Sequence, residues 1–256
     1  MSVLPSRYTV ALIPGMQCTQ ELFVEIAARL RGRLAAGVRV EIAPVVSASL
    51  QRTVANLLAL DEYVIPVGHS LGGTVAMAAT RAAPGRIPAL VTMCANPRAP
   101  RSAQRTGWQD QISRVSRGEL AACIDELLPR LCGPDVENHI RQATHLMMEE
   151  TGATRYLNQL QIQQQRIDER PGLATFTGPV LAFGAEHDQL VSAESALEIA
   201  EATPRGKSVI VANAGHMLPL EKPQDVAETL ADWLREISDE PIATTTKVRL
   251  SMADEQ

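Results

Sequence analysis

Aromatic residues are nearly missing from this chain, which has three Phe, three Tyr and two Trp among 256 residues. The core must therefore be built from Val, Leu, Ile and Ala, and a platform of stacked rings for single-stranded nucleic acid is excluded. A basic footprint is missing as well. Lys and Arg number 24 against 29 Asp and Glu, the formal net charge is −5, and the basic residues are scattered. That balance argues against nucleic acid as a partner. Cysteine is sparse, and Cys18, Cys94, Cys123 and Cys132 have neither C-x-x-C spacing nor the density of a disulfide scaffold, so they read as reduced thiols. No apolar run approaches the roughly 20 residues that cross a bilayer, so no membrane partner is expected. The first such run, Tyr8 to Ile13, is halted by Pro14-Gly15 and is too short and wrongly flanked for a secretory signal. These absences point to a cytoplasmic protein with a small-molecule partner, and they leave the oligomeric state open.

What is present is alternation. Short β-rich runs precede helical patterns: Tyr8 to Ile13 then Glu21 to Leu30, Val38 to Ala43 then Leu50 to Leu60, Tyr63 to Val67 then Thr74 to Ala83. Such order predicts βαβ units on a parallel sheet. Ala89 to Cys94 is a continuous apolar run, as a strand covered on both faces requires. From Pro97 to Gly172 no strand pattern occurs, and Leu120, Ile124, Leu127, Leu128 and Leu131 recur at helical spacing. Alternation resumes with Val180 to Phe183, Ala193 to Ala202, Ser208 to Ala212 and Asp225 to Ile237. The expected fold is α/β: a mostly parallel sheet of about six strands flanked by helices, in core segments 1–96 and 173–238, with a helical cap inserted over 97–172. Residues 239–256 are polar and Thr-rich and read as a flexible tail.

Gly68-His69-Ser70-Leu71-Gly72-Gly73 lies between a strand pattern and a helix pattern. Glycines on both sides let the chain turn sharply enough to stand a serine hydroxyl at the top of a sheet, so Ser70 is the candidate nucleophile. A serine hydroxyl needs a positioned base, itself held by a carboxylate. His216 follows the strand pattern Ser208 to Ala212, and Asp188 follows Val180 to Phe183, which places both at the carboxyl edge of a parallel sheet. Glu186 is a rival acid, and His187 competes as base only if Asp188 is not the acid. His69 is expected to pack rather than react. His139 and His145, six apart, do not share a helical face and do not suggest a metal pair. Acyl transfer also needs N–H donors for a developing oxyanion. The Leu71 N–H at the helix start is one, and the Met16 N–H, after Gly15, is the other.

With these residues in place the chain resembles the α/β-hydrolase superfamily, in particular its small capped esterase and lactonase branch, over nearly all of Tyr8 to Ile237. The most specific stretches are Gly68 to Gly73 and Ala214-Gly215-His216-Met217-Leu218-Pro219-Leu220-Glu221-Lys222-Pro223. The resemblance implies a triad of Ser70, Asp188 and His216. It departs from the family pattern at Pro14-Gly15, where His-Gly is usual, at Ala185 and Ser192 around the acid, and in the short stretch before Tyr8, which implies a sheet of six strands. The expected activity is a serine hydrolase cleaving a small carboxylic ester. The alternatives are an enol-lactone-type hydrolase for an acidic metabolite, with Arg98, Arg101, Arg105 or Arg114 holding its carboxylate, a C–C bond hydrolase, and a non-catalytic ligand-binding protein. No metal or organic cofactor is implied. Trp108, Leu127, Leu131, Met147 and Met148 either line a pocket or pack the cap.

Overall fold

The computed structural model describes residues 4–239. Six strands, β1 (Thr9–Ile13), β2 (Arg39–Ile42), β3 (Val64–His69), β4 (Leu90–Met93), β5 (Val180–Ala185) and β6 (Gly206–Val211), form one sheet in the order β2-β1-β3-β4-β5-β6. Every neighbouring pair is parallel. The chain runs outward from β1 to β2 and then returns to place β3 on the other side of β1. That reversal opens a crevice at the carboxyl ends of β1 and β3, where parallel sheets bind their ligands.

Ten α-helices accompany the strands among the described residues: α1 (Val24–Arg31), α2 (Leu50–Leu58), α3 (Leu71–Ala82), α4 (Ser102–Ser116), α5 (Leu120–Leu127), α6 (Asn138–Gln164), α7 (Arg170–Thr175), α8 (Glu194–Glu201), α9 (Leu218–Glu221) and α10 (Pro223–Asp239). Side chains alternate across the sheet, so Val10, Leu12, Val91, Met93, Leu181 and Phe183 join one core with residues of α1 and α10. Ala11, Ile13, Leu90, Val180 and Ala182 join the other with α2, α3 and α8. Both faces are apolar, which is why the strands read as unbroken hydrophobic runs. On α10, Val226, Ala227, Leu230, Ala231, Leu234 and Ile237 form the buried stripe of an amphipathic helix.

Helices α4, α5 and α6 fill the interval between β4 and β5. Fully buried Gln159 on α6 accepts from the Gln17 N–H at 2.8 Å and donates to the Val45 carbonyl at 3.3 Å, so this layer lies over the loops that leave β1 and β2. Helix α6 is kinked at Gly152. Before the kink Met147 and Met148 pack into the main core with Leu131, and after it Tyr156 and Leu160 cluster with Val115, Trp108 and Met16. The boundary expected at Gly172 falls inside α7, which packs against α3 with Gly172 beside the Arg81 side chain.

Several helices begin elsewhere than the sequence pattern indicates, α10 for instance at Pro223 rather than Asp225. The stretch predicted from Glu21 opens as a 3-10 turn, Gln20–Phe23, and becomes α-helical only at Val24. The helix predicted from Thr74 starts three residues earlier, at Leu71, with Gly72 and Gly73 inside its first turn. The tail expected over residues 239–256 lies, beyond Asp239, outside the described residues.

Gly72 explains the early start of α3. A Cβ there would stand 2.0 Å from the Ile13 carbonyl oxygen, so the first turn of α3 rests directly on the end of β1. Gly72→Ala is expected to force that contact apart and cost about 1–3 kcal/mol or more, as overpacking does. Urea denaturation at neutral pH measures it, and an unchanged midpoint would refute the close approach.

Candidate active site

Ser70 joins β3 to α3 with φ 50° and ψ −112°, on the positive-φ side of the map that a non-glycine residue rarely adopts. Such a conformation costs about 1–3 kcal/mol and persists only where its surroundings impose it. Here the Ser70 N–H is held by the Met93 carbonyl at 2.8 Å, while the Ser70 carbonyl already accepts from Gly73 at 2.9 Å. The peptide is fixed on both sides, and the side chain is left to project above the sheet.

It meets His216. The His216 Nε2 lies 3.0 Å from the Ser70 Oγ, and its Nδ1 lies 2.7 Å from the Asp188 Oδ2. A carboxylate only accepts, so Nδ1 carries the proton and donates, and neutral His216 presents a bare Nε2 to the serine hydroxyl. The other Asp188 oxygen accepts the N–H groups of Leu190 at 2.8 Å and Val191 at 2.9 Å. Burial alone would raise the Asp188 carboxyl. The charge and hydrogen bond of His216 and the two backbone donors outweigh it and hold the group below the usual carboxylate range. Asp188 has no exposed side-chain surface and His216 only 5 %, so this hydrogen-bonded pair is buried.

Glu186 goes elsewhere. Its Oε2 accepts from the Asn213 N–H at 2.9 Å and its side chain is half exposed beside His187. Of the two acids, Asp188 is the one brought to the imidazole. His139 and His145 stand on the outside of α6 near Glu137 and Glu149, remote from one another's partners.

The loop after β1 passes directly beside the serine. A Cβ on Gly15 would stand 3.3 Å from Ser70 Cβ and 2.6 Å from the His69 Nδ1, so only glycine allows this approach. Neither the Met16 nor the Leu71 backbone N–H has an acceptor among the described residues. For Leu71 this follows from its place in the first helical turn.

Three residues matter in ways the sequence did not announce. His69, buried beneath the serine, donates from Nε2 to the His216 carbonyl at 2.7 Å and so anchors the backbone of His216. Burial first, and then the neighbouring His216, push His69 down to about 3. Glu221 on α9 accepts from the Gly215 N–H at 2.8 Å and the Gly133 N–H at 3.0 Å, tying the His216 loop to the helical insertion. Arg166 is the third. Its guanidinium is buried, donates to Gln163 Oε1 and to the carbonyls of Asn96 and Arg98, and lies 5.9 Å from the Trp108 ring. No carboxylate pairs with it among the described residues, and burial, with Arg105 nearby, lowers it to about 10. Arg98 and Arg114, by contrast, are committed to Glu198 and to Glu119 and Glu126, and Arg105 donates to the Gln164 carbonyl. Arg101 occupies the N-cap position of α4, where its backbone N–H donates to Gln104 Oε1 at 3.0 Å. Leu131, Met147 and Met148 belong to the packed core, and Leu127 packs against it, whereas Trp108 shares a cluster with Met16. A separate apolar cleft of about 210 Å³ between α2 and the ends of β1 and β2 includes none of Ser70, Asp188 and His216.

A sequence model described as the alpha/beta hydrolase family matches residues 10–229. No curated protein matches the chain. Among solved structures it is similar to a thermophilic esterase from Thermogutta terrifontis, with a TM-score of 0.79 and 21 % identity over 90 % of each chain. It is also similar to the enol-lactonase from Burkholderia xenovorans, with a TM-score of 0.77 and 17 % identity over 90 % of this chain and 92 % of that one. A bromoperoxidase from Bacillus anthracis gives a TM-score of 0.73 and 20 % identity over 90 % and 92 %. At these identities the likeness is one of fold.

The depressed His69 makes a test of the packing. Between about pH 6.5 and about 3 the unfolded chain binds a proton at His69 that the folded chain refuses. Folding stability therefore rises with pH across that window and falls on acidification, by about 1 kcal/mol per pH unit. His69→Gln, which keeps an N–H donor for the His216 carbonyl, is expected to flatten the acid side of the curve. Urea unfolding at pH 7 and pH 4.5 measures it, and equal slopes in both proteins would rule out a neutral buried imidazole.

Proposed function

This chain belongs to the alpha/beta hydrolase family, and we propose that within it the protein is a serine hydrolase that cleaves a carboxylic ester of a small molecule. The observation that carries this reading is the unbroken hydrogen-bond path from Ser70 through His216 to Asp188, with the tautomer that path imposes. His216 takes the Ser70 proton as Oγ attacks the ester carbonyl, then returns it to the leaving alcohol. Asp188 stays ionised and stabilises the imidazolium that forms. Negative charge on the tetrahedral oxygen is met by the Met16 and Leu71 N–H groups, each worth about 3–4 kcal/mol in comparable sites. A water activated by the same imidazole then releases the acyl group.

In this reading the segment 97–172 serves as a cap over a core made of residues 1–96 and 173–238, and Met16 and Trp108 face the substrate from opposite layers. Arg166 supports a second reading: a guanidinium with only neutral acceptors, covered by the cap, suits an ester or lactone that carries a carboxylate of its own. Turnover of a neutral and a carboxylated substrate, compared in the wild type and in Arg166→Gln, separates the two. A selective loss on the carboxylated one supports the second.

Ser70→Ala is expected to abolish turnover of a short-chain aryl ester and labelling by a fluorophosphonate probe, and Asp188→Asn to lower kcat on the order of 10⁴-fold. Residual labelling of the alanine variant at the wild-type rate would remove Ser70 as the nucleophile.

A further inference from the structure

Helix α6 reaches the loop beside Ser70 through one carboxamide. Gln159, which has no exposed surface, accepts the Gln17 N–H on Oε1 at 2.8 Å and donates from Nε2 to the Val45 carbonyl at 3.3 Å. Two neighbours repeat only the second of these contacts. Asn158 donates to the Val46 carbonyl at 3.0 Å. Gln165, just past the helix, donates to the Ala48 carbonyl at 2.8 Å and accepts from the Leu50 N–H at 3.0 Å. Three carboxamides thus hold the loop after β2, and Gln159 also holds the loop after β1.

The Gln17 N–H matters because of the turn it sits in. The Cys18 N–H donates to the Gly15 carbonyl at 3.4 Å, closing a four-residue turn with Met16 and Gln17 as its central pair. Gln17 has φ 55° and Met16 is not among the left-handed residues, the pattern of a type II turn. Glycine or asparagine usually takes the third place of such a turn, because a Cβ crowds the backbone there. Gln17 does not offset this with its own side chain, which is buried and has no partner for Nε2 or Oε1 among the described residues. The bond that holds the turn comes from outside it. The commoner type I turn differs by a rotation of about 150–170° in the Met16–Gln17 peptide, which would swing the Gln17 N–H away from Gln159.

We infer that Gln159 is a positioning residue for the proposed hydrolysis: by holding the Gln17 N–H, it locks the turn after β1 in the conformation that aims the Met16 N–H at the substrate carbonyl. The peptide next to the locked one, Gly15–Met16, carries that N–H. Gly15 lies against the serine, where an added Cβ would stand 3.3 Å from Ser70 Cβ, so a shift of the turn is felt at the nucleophile. The lock is supplied by a residue 142 positions further along the chain.

The inference rests on the ester-hydrolase reading, so its test carries a readout that needs no turnover. Gln159→Met keeps the side-chain length and removes both polar contacts. Gln159→Glu keeps the acceptor and, protonated by its burial, the donor as well. Both are compared with wild type in hydrolysis of a short-chain aryl ester and by ¹H–¹⁵N NMR of the Gln17 amide. In Gln159→Met kcat is expected to fall about tenfold with KM unchanged, part of the roughly hundredfold or more that loss of a whole oxyanion donor costs. The Gln17 amide should move upfield and exchange faster with solvent. Gln159→Glu should restore most of both. In a Gln17→Gly background, where glycine favours the turn unaided, Gln159→Met should cost less than about threefold. Asn158→Ala, which loosens α6 from the loop after β2 only, should leave kcat within about twofold of wild type. A methionine variant with the wild-type Gln17 resonance and kcat would overturn the assignment. So would an equal loss in the two backgrounds, or Asn158→Ala as impaired as Gln159→Met. If Gln159→Met does not fold, Gln159→Glu decides: a Gln17 amide kept at its wild-type shift supports the lock, and a released one overturns it. If Ser70→Ala retains turnover, the hydrolase reading fails, while the Gln17 resonance still decides whether Gln159 locks the turn.

Discussion

An ionised carboxylate with no solvent contact survives only inside a shell of donors, and the Asp188–His216 contact at 2.7 Å supplies the strongest of them. Most of what surrounds the site serves to keep that pair assembled. The Leu190 and Val191 amides turn the loop after β5 back on itself around the carboxylate. Glu221 and His69 fix the loop after β6 through its backbone, and the apolar stripe of α10 shares one core with Ala214 and Met217 of that loop. Without the pair, a buried charge would remain uncompensated and His216 would lose the tautomer that presents a bare nitrogen to Ser70.

The sheet topology explains why the parts converge. The loop after β1 and the turn after β3 are neighbours because the chain reverses its order between those strands, and Ile13 is in register with Gly68. Strands β4, β5 and β6 follow in spatial sequence, so residues placed just beyond each strand form a row along one edge. Ser70, Asp188 and His216 come from the ends of three different strands and meet in space.

Much of this was legible in the sequence for a simple reason: strand–helix alternation, the glycines flanking Ser70 and the positions of Asp188 and His216 just past apolar runs are all local signals. The early start of α3 was not legible, because Gly72-Gly73 reads as a turn until the Ile13 carbonyl is seen pressed against it. The 3-10 opening before α1 is likewise a boundary that apolar spacing does not mark. The tasks of His69, Glu221 and Arg166 depend on partners 147, 88 and 70 positions away respectively. No periodicity or short motif carries such information. Of the arginines noted in the segment 97–172, Arg98 and Arg114 pair with carboxylates and Arg105 with a backbone carbonyl, whereas Arg166, which has no carboxylate partner among the described residues, follows the last turn of α6.

Among the described residues, four that are not glycine adopt left-handed backbone: Gln17, Ser70, Cys94 and Asn213. Each lies just beyond the carboxyl end of a strand, after β1, β3, β4 and β6. Each would be relaxed by glycine, at the cost of a side chain in or beside the site. Selection for heat resistance and selection for turnover therefore pull these same four positions in opposite directions. A lineage that hardened its fold there would do so by eroding its own chemistry.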